Sequence, residues 1–144
     1  MKRLQLRHMA PARDVLGQIV FVYWNIHKGG WSLRATVGAP KGRVIHHAHT
    51  VVVVDTYGKV SEKGRQRVIR ERRRNVHAGI VGKVVGLSAD PTPPSLLQNH
   101  DFRLSYNPYK HTGFVLAGSD TLWTRGGPVL LTSDGKAYTT GDLK

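Results

Sequence analysis

The chain has 144 residues, with 22 Lys or Arg against nine Asp or Glu, no cysteine and a formal net charge of +13 at pH 7. Its length suits one domain, since domains commonly hold about 100–150 residues, and the missing cysteines exclude disulfides, cysteine-ligated zinc and a thiol nucleophile within it. So large a positive charge favours an anionic partner, either nucleic acid or an acidic protein surface.

Composition divides the chain into a basic arm, two β-rich halves and a connection. Residues 1–17 are the predicted N-terminal arm, and residues 18–144 are the predicted single domain. Within that domain, halves at 18–88 and 100–144 flank a proline-rich connection at 89–99. No stretch approaches the roughly 20 apolar residues that cross a bilayer, so we expect no membrane partner.

The first half begins with a predicted β-hairpin. Residues 19–24 are β-branched and aromatic, and beyond a His-Lys-Gly-Gly turn residues 31–37 alternate apolar with polar or small side chains. A long strand is predicted from Arg43 to Asp55. Residues 76–87 return to strand character, and their three glycines predict a bulge or a close approach of two backbones.

The most cationic segment of the chain lies between those strands. Ser61 can cap a helix over residues 61–75, with Glu62 favourable in its first turn. Only Val68 and Ile69 give this helix apolar surface, so we expect the fold or a partner to hold it. The predicted phosphate contacts in and beside it are Lys59, Lys63, Arg65, Arg67, Arg70, Arg72, Arg73 and Arg74.

The second half is predicted to be short strands with a weak repeat of the first half. The strands are expected at 102–106, 113–117, 121–124, 129–132 and 136–140, the last two joined by a Ser-Asp-Gly turn. Trp24-Asn25 with Lys28 is echoed by Tyr106-Asn107 with Lys110. Chance similarity is the alternative to a true repeat. The predicted fold is α+β, mostly antiparallel β, with two related β units and one inserted basic helix.

Both echoed segments fall at predicted turns. Trp24 and Tyr106 are interpreted as strand-end core residues, while Asn25 and Asn107 shape the turns. Cations at such turns can meet phosphate, and an exposed ring can stack on a base. The predicted nucleic-acid footprint is therefore extended by Lys28, Lys83, Tyr109 and Lys110.

Histidines supply an enzymatic alternative. His47 and His49 share a face of the predicted strand that also holds His46, and two such imidazoles could ligate a metal. A polar edge or a phosphate contact is favoured instead, because no third-ligand motif accompanies them. His46 and His47, together with Asn75 and His77, also invite comparison with HNH nucleases, but the basic helix separates the two pairs. The acids are too scattered for two-metal chemistry, so we predict no catalytic residue, no metal and no cofactor.

Two strings carry a family resemblance. S-Y-N-P-Y-K-H-T-G-F-V at 105–115 and G-R-Q-R-V-I-R-E-R-R-R-N-V-H-A-G-I-V-G at 64–82 resemble small basic proteins of uncharacterised activity encoded by tailed bacteriophages. The resemblance extends from Val20 to Tyr138. It implies action in the cytoplasm of a bacterial host cell or, alternatively, packaging in a virion, and it supplies no mechanism.

The sequence as a whole favours a non-enzymatic nucleic-acid-binding phage protein that contacts phosphates through its Arg-rich helix. RNA is favoured over duplex DNA because a short Arg-rich helix followed by Gly-rich strands resembles RNA-binding segments in composition. One alternative is a phage protein that binds an acidic face of a host protein or of a virion subunit. A metal- or histidine-dependent nuclease is the third hypothesis.

Overall fold

The structure, a computed structural model, describes residues 15–38, 41–88, 103–119 and 121–139. The predicted arm up to residue 14 and the whole predicted connection at 89–99 lie outside the described residues. The described elements are β1 (Ile19–Asn25), β2 (Gly30–Ala35), β3 (Val44–Ala48), β4 (Thr50–Val60), α1 (Glu62–Glu71), β5 (Ala78–Ser88), β6 (Arg103–Ser105), β7 (Val115–Leu116), β8 (Arg125–Gly126), β9 (Val129–Leu131) and β10 (Ala137–Thr139).

These strands form one antiparallel sheet. Its order is β3-β2-β1-β5-β4-β9-β10-β6-β7, and β8 pairs with β4 beside this path. The predicted α+β class with mostly antiparallel strands is confirmed. At ten residues, the described helix is far too short to cross a membrane.

The two halves of the sheet have the same strand order. In the first half β1 pairs with β2 and also with β5, the second strand of the β4–β5 pair. In the second half β6 pairs with β7 and also with β10, the second strand of the β9–β10 pair. The equivalent strands β4 and β9 then pair with each other in antiparallel register, Val52 opposite Leu130. This arrangement relates the halves by an approximate two-fold axis between β4 and β9.

Two predicted strands differ from the observed ones. The predicted strand from Arg43 to Asp55 is divided at His49 into β3 and β4, and His49 instead donates its backbone N–H to the Ser88 carbonyl at 3.0 Å. β4 continues to Val60 past a bulge at Asp55, whose φ is 52°. The predicted strand at 121–124 reduces to a single bridge between Leu122 and Val115.

Both halves contribute to one hydrophobic core. Val22, Leu33 and Val53 from the first half pack in the same cluster as Leu131 from the second half, and all four are fully buried. The Trp31 Nε1–H of the first half donates to the Thr132 carbonyl of the second at 2.7 Å. The halves are therefore joined by packing and by hydrogen bonds as well as by β4–β9 pairing.

A close backbone approach explains one of the predicted glycine positions. A Cβ at Gly79 of β5 would collide with the Val22 carbonyl oxygen and with the Phe21 ring of neighbouring β1. The prediction of a close approach from the glycines of residues 76–87 is confirmed at this position. It brings the first residues of β5 tightly against the last residues of β1, where the candidate site lies.

Candidate functional site

The helix α1 is fixed at its first turn. Ser61 caps it, accepting a hydrogen bond from the Gly64 N–H at 3.2 Å, as the sequence predicts. Gly64 lies directly against His77, since an added Cβ would be 2.5 Å from the His77 Cβ. The Ser61 N–H donates to the His77 carbonyl at 2.7 Å. The first turn of the helix is thus held on the segment that enters β5.

Arg65 connects the helix to the second half. Its guanidinium lies 3.3 Å from the Glu62 carboxylate and donates to the Pro108 carbonyl at 3.4 Å. Its side chain is only 13% exposed. The structure places Arg65 in a contact within the protein, and a phosphate contact there would require this contact to open.

The other helical cations project away from the fold. Val68 is the buried residue of α1, and Lys63, Arg67 and Arg70 occupy the opposite face at i, i+4 and i+7. All three are exposed. Among the described residues, the ion pair found in this cationic run is the one between Arg65 and Glu62. The outer face of the helix is therefore a row of solvated cations, and the one acid within residues 63–74, Glu71, makes no ion pair with them.

The helix is shorter than predicted. It ends at Glu71 rather than Asn75, because Arg72 adopts a left-handed conformation with φ 57° and donates its N–H to the Val68 carbonyl at 2.8 Å. Glycine or asparagine usually occupies such a position, so the sequence carries no signal for this stop. Arg73 and Arg74 consequently lie in the non-helical segment that leads to β5, where both are exposed.

This segment borders a cavity of about 470 Å³, here called the aromatic cavity. The end of β1 and its turn, the buried side of the helix, the segment before β5 and the β6–β7 turn enclose it. Its aromatic members are Tyr23, Trp24, His77 and Tyr106, and its other lining residues are Asn25, Ile26, His27, Val68, Arg74, Asn75, Val76, Ala78 and Pro108. The two turns that carry the sequence repeat thus meet at one cavity.

A hydrogen-bond chain orders one wall of the aromatic cavity. His77 Nδ1 lies 3.1 Å from the Asn75 backbone carbonyl, which can only accept, so Nδ1 carries the proton. In a neutral imidazole Nε2 is then an acceptor, and Tyr106 donates its hydroxyl to it at 2.7 Å. Burial raises the pKa of Tyr106 to about 12, with Arg65 opposing and Glu62 adding to the shift. Tyr106 therefore remains a neutral donor at physiological pH.

Asparagines shape both turns, as predicted. The Asn25 carbonyl accepts from the N–H groups of Lys28 and Gly29, and the Asn107 carbonyl accepts from those of the corresponding residues of the second turn. Each Asn side-chain oxygen also accepts a backbone N–H two residues further along, at 3.0 Å in the first turn and 2.9 Å in the second. The same local chemistry forms both turns.

A second cavity of about 260 Å³, here called the cationic cavity, adjoins the first and shares Val76 and His77 with it. Arg34, Lys41 and Lys59 contribute its charge. The Arg34 guanidinium carbon lies 4.8 Å from the centre of the Tyr23 ring, and its Nε is buried without a hydrogen-bond partner in the described part of the chain. An anion in this cavity would meet three cations.

The remaining predicted contacts are dispersed. Lys28 and Tyr109 lie on the two turns beside the aromatic cavity, whereas Lys110 lines a separate pocket on the far side of its turn. Lys83 is opposite Ile19, five residues beyond the start of β5 and thus about 17 Å along the strand. The structure separates Lys83 from the helix, and brings Arg74 and Lys59 to the two adjoining cavities.

The histidines of β3 belong to no cluster that could hold a metal in the described part of the chain. No group of three His, Asp or Glu with suitable geometry occurs in residues 15–38, 41–88, 103–119 and 121–139. His47 Nδ1 is instead 3.0 Å from the Ser32 hydroxyl on β2. Burial lowers the pKa of His46, while burial, Lys28 and His46 lower the pKa of His47. Both imidazoles favour the neutral form as part of a polar sheet edge.

Several site residues are found only by the structure. Arg34 and Lys41 stand apart from the cationic run in the sequence, and long-range strand pairing brings them beside Lys59. The sequence relates Asn75 and His77 only to a nuclease. In the structure their hydrogen bonds position the ring of Tyr106. The sequence signal for this site is the repeated aromatic-Asn pair, since Trp24 and Asn25 of one copy and Tyr106 of the other line the same cavity.

Comparison with known proteins relates the chain to a phage. The sequence model of the family described as Mycobacterium phage L5 gene 82 protein matches residues 15–139. The gene 82 protein of Mycobacterium phage L5 is 37% identical over 122 residues, which cover 81% of this chain and 91% of that protein. No solved structure matches the chain. The resemblance to phage proteins noted in the sequence is confirmed at the level of a phage family.

Proposed function

The chain belongs to the family of the Mycobacterium phage L5 gene 82 protein, and we propose that this phage protein binds nucleic acid through its basic helix without catalysing a reaction. The observation that carries the proposal is the cationic surface formed by α1 and the segment after it, where the exposed cations far outnumber the one exposed acid of residues 63–74, Glu71. Six exposed cations belong to this surface: Lys63, Arg67, Arg70, Arg72, Arg73 and Arg74.

Self-repulsion is the physical reason for a polyanionic partner. Lys63 and Arg67 are like charges at an i,i+4 spacing, which destabilises a helix by a few tenths of a kcal/mol. Phosphates along a strand relieve this repulsion and release their condensed counterions, which is the main source of sequence-independent affinity. The proposed surface therefore costs stability in the free protein and gains affinity in the complex.

RNA is the favoured nucleic acid, and the host-cell cytoplasm is the proposed place of action, with the virion as the alternative. Specific recognition of RNA mostly targets unpaired loops, whose bases stack on aromatic side chains. The cationic surface ends at Arg74, beside the aromatic cavity. Phosphate contacts and rings thus adjoin, as single-stranded recognition requires.

Salt dependence tests the proposal. Fluorescence anisotropy of labelled single-stranded RNA and duplex DNA is measured at several salt concentrations between about 50 and 200 mM. Six phosphate contacts predict a log–log slope of about −4 for single strands and about −5 for duplex. Negligible binding of both labelled molecules at the lowest salt would overturn the proposal.

A matched pair of variants distinguishes the effect of this surface on binding from the effect of net charge alone. The triple change Arg70→Gln, Arg73→Gln and Arg74→Gln should reduce the slope by about 2 to 3 and weaken binding at every salt concentration. The control changes three exposed arginines on other elements to Gln, Arg43, Arg103 and Arg125, and so removes the same charge. Equal losses in the two triple variants would contradict a localised surface. A nuclease-resistant complex with an acidic host protein, in place of RNA binding, would favour the alternative function.

A further inference from the structure

The aromatic cavity has fixed walls, although no ligand is needed to explain the fold around it. Trp24 packs edge-to-face on Trp31, with ring centroids 5.1 Å apart and an interplanar angle of 76°. A Cβ at Gly135 would lie 3.2 Å from the Trp24 ring, so the β9–β10 turn of the second half also packs against the indole. The indole is held in one place before any ligand arrives.

Tyr106, the large ring of the second half that lines the cavity, is also constrained. Its ring centroid lies 5.5 Å from that of His77 and 5.4 Å from that of Phe114, and its hydroxyl is hydrogen-bonded to His77. A ring that is already immobile loses little entropy when a ligand packs on it. The two rings therefore provide preorganised apolar contact for a ligand that enters the cavity.

The mouth of the aromatic cavity combines exposed apolar surface with charge. Ile26 is 52% exposed and Val76 is 45% exposed, and both line the cavity. Arg74 lines it too. A volume of about 470 Å³ falls within the ~300–1,000 Å³ range of small-ligand sites. Aromatic walls with a cationic edge suit a ligand that has a ring system with a negatively charged group attached to it.

The cationic cavity lies where that charge would be. It meets the aromatic cavity at Val76 and His77, and Tyr23 links them, since its ring lines the aromatic cavity and carries the Arg34 guanidinium above it. Arg34 Nε is a buried donor with no partner among the described residues, and no acid there pairs with the guanidinium, so its charge would attract an anion in the cationic cavity.

We infer that the aromatic cavity binds an unpaired nucleobase of a single strand and that the cationic cavity binds a phosphate next to it. This inference rests on the proposed nucleic-acid binding and adds to it a base site separate from the helical cations. Trp24 and Tyr106 contact the base, and Arg34 with Lys59 contacts the phosphate. A duplex cannot use the site because its bases are paired and stacked.

Single-ring substitutions test the base site without altering charge. Trp24→Leu and Tyr106→Leu should each weaken binding of a short single-stranded RNA by about 5- to 100-fold, the loss expected from one stacking contact. Duplex binding and the salt slope should not change. Tyr57→Leu is the matched control, because Tyr57 is 44% exposed on β4 and lies in neither cavity.

Tryptophan fluorescence reports occupancy directly. Stacking of a base on Trp24 should quench emission in the wild type and in Trp123→Phe, but not in Trp24→Phe. Lys59→Gln leaves the aromatic walls intact and should reduce the single-strand salt slope by about 0.7. Trp24→Phe and Lys59→Gln keep the inference testable if a leucine variant fails to fold.

The outcomes distinguish failure of the base site from failure of the proposed function. If the wild type binds RNA but the ring variants bind it with unchanged affinity, phosphate binding stands and the base site is overturned. If the wild type binds no strand, the proposed function fails and the inference with it. If free AMP or UMP quenches the fluorescence while no strand binds, the inference that a nucleic-acid strand occupies the cavity is overturned.

Discussion

The two β units share a strand order but differ in what joins their last two strands. In the second unit residues 132–136 form a tight turn between β9 and β10, whereas in the first unit residues 61–77, with the whole of α1, join β4 to β5. Val60 pairs with Ala78 as Leu131 pairs with Ala137. A β unit of this kind therefore closes without a helix, and the helix is an addition that the sheet does not need.

The first unit also has a second addition. In the first unit the sheet extends beyond β2 to the edge strand β3. In the second unit the sheet ends at β7, the counterpart of β2. The helix carries cations and β3 carries His46 and His47. The added segments thus bring the helical cations and these two histidines, although Ala48 of β3 also belongs to the shared core.

Deletion of the helical addition should have the largest effect on binding. Residues 61–77 are replaced by Thr-Ser-Asp-Gly-Lys, the sequence of residues 132–136. Since the flanking pairs have the same register, we expect an antiparallel sheet by circular dichroism. RNA affinity should fall at least about 100-fold, because seven Lys or Arg residues are removed and one Lys is added. A folded graft that binds RNA like the wild type would show that the helix is not the binding surface.

The shared core should make the units unfold together. Leu33→Ala and Leu131→Ala change fully buried residues in different units, and each should lower the free energy of unfolding by about 2–5 kcal/mol. Urea unfolding is followed by tryptophan fluorescence and by circular dichroism. Both probes should give one coincident transition in each variant.

Leu122→Ala is the control for this prediction, since Leu122 is 53% exposed and its truncation should cost less than about 0.5 kcal/mol. Separate transitions for the two probes would show that the units have independent stability. In that event the two units would be two separate domains and not one cooperatively folded body.

The sequence predicts this fold where one local signal decides the structure. The alternation around the Gly-Gly turn predicts the β1–β2 hairpin, and Ser61 predicts the helix start. It does not predict the break between β3 and β4 at His49, because the sequence there contains no glycine or proline. It also does not predict the end of the helix at Arg72, where neither glycine nor asparagine is present. At His49 the break goes with a long-range hydrogen bond to Ser88, whereas at Arg72 the backbone hydrogen bond is the local one to Val68.

The aromatic cavity is harder to predict than the cationic run. The cations are adjacent in sequence, so composition reveals them. Trp24, Val76 and Tyr106 are distant in sequence and meet through β1–β5 pairing and the packing of the second unit. Interpretation of Trp24 as a core residue is partly right, since it packs against Trp31, yet it also faces the cavity.

The two connections also differ at their positive-φ residues, which leads to a smaller predicted effect. Gly135 takes φ 81° in the second unit, and Arg72 takes φ 57° in the first. Arg72→Gly should remove strain and raise the free energy of unfolding by up to about 1 kcal/mol. It should also reduce the RNA salt slope by about 0.7, because one cation is lost.

Arg73→Gly is the matched control for Arg72→Gly. It removes the same charge from a residue that does not have positive φ, so it should not raise the stability measured by urea unfolding. Equal stability changes in the two glycine variants would mean that Arg72 carries no strain. A gain in stability with a loss of binding would show that Arg72 is retained for its charge.

The smallest expected effect is the pH dependence that β3 gives to the first unit. The pKa values of His46 and His47 are lowered by burial, so near pH 6 the unfolded chain binds more protons than the folded protein. The free energy of unfolding should therefore be highest above about pH 6.5 and fall as the pH drops through the folded-state pKa values. Urea midpoints between pH 7.5 and 5.5 measure this fall. The double variant His46→Gln and His47→Asn should reduce this fall, because neither new side chain titrates. Asn at position 47 keeps a polar atom towards the Ser32 hydroxyl. An unchanged fall would assign the pH dependence to groups outside β3.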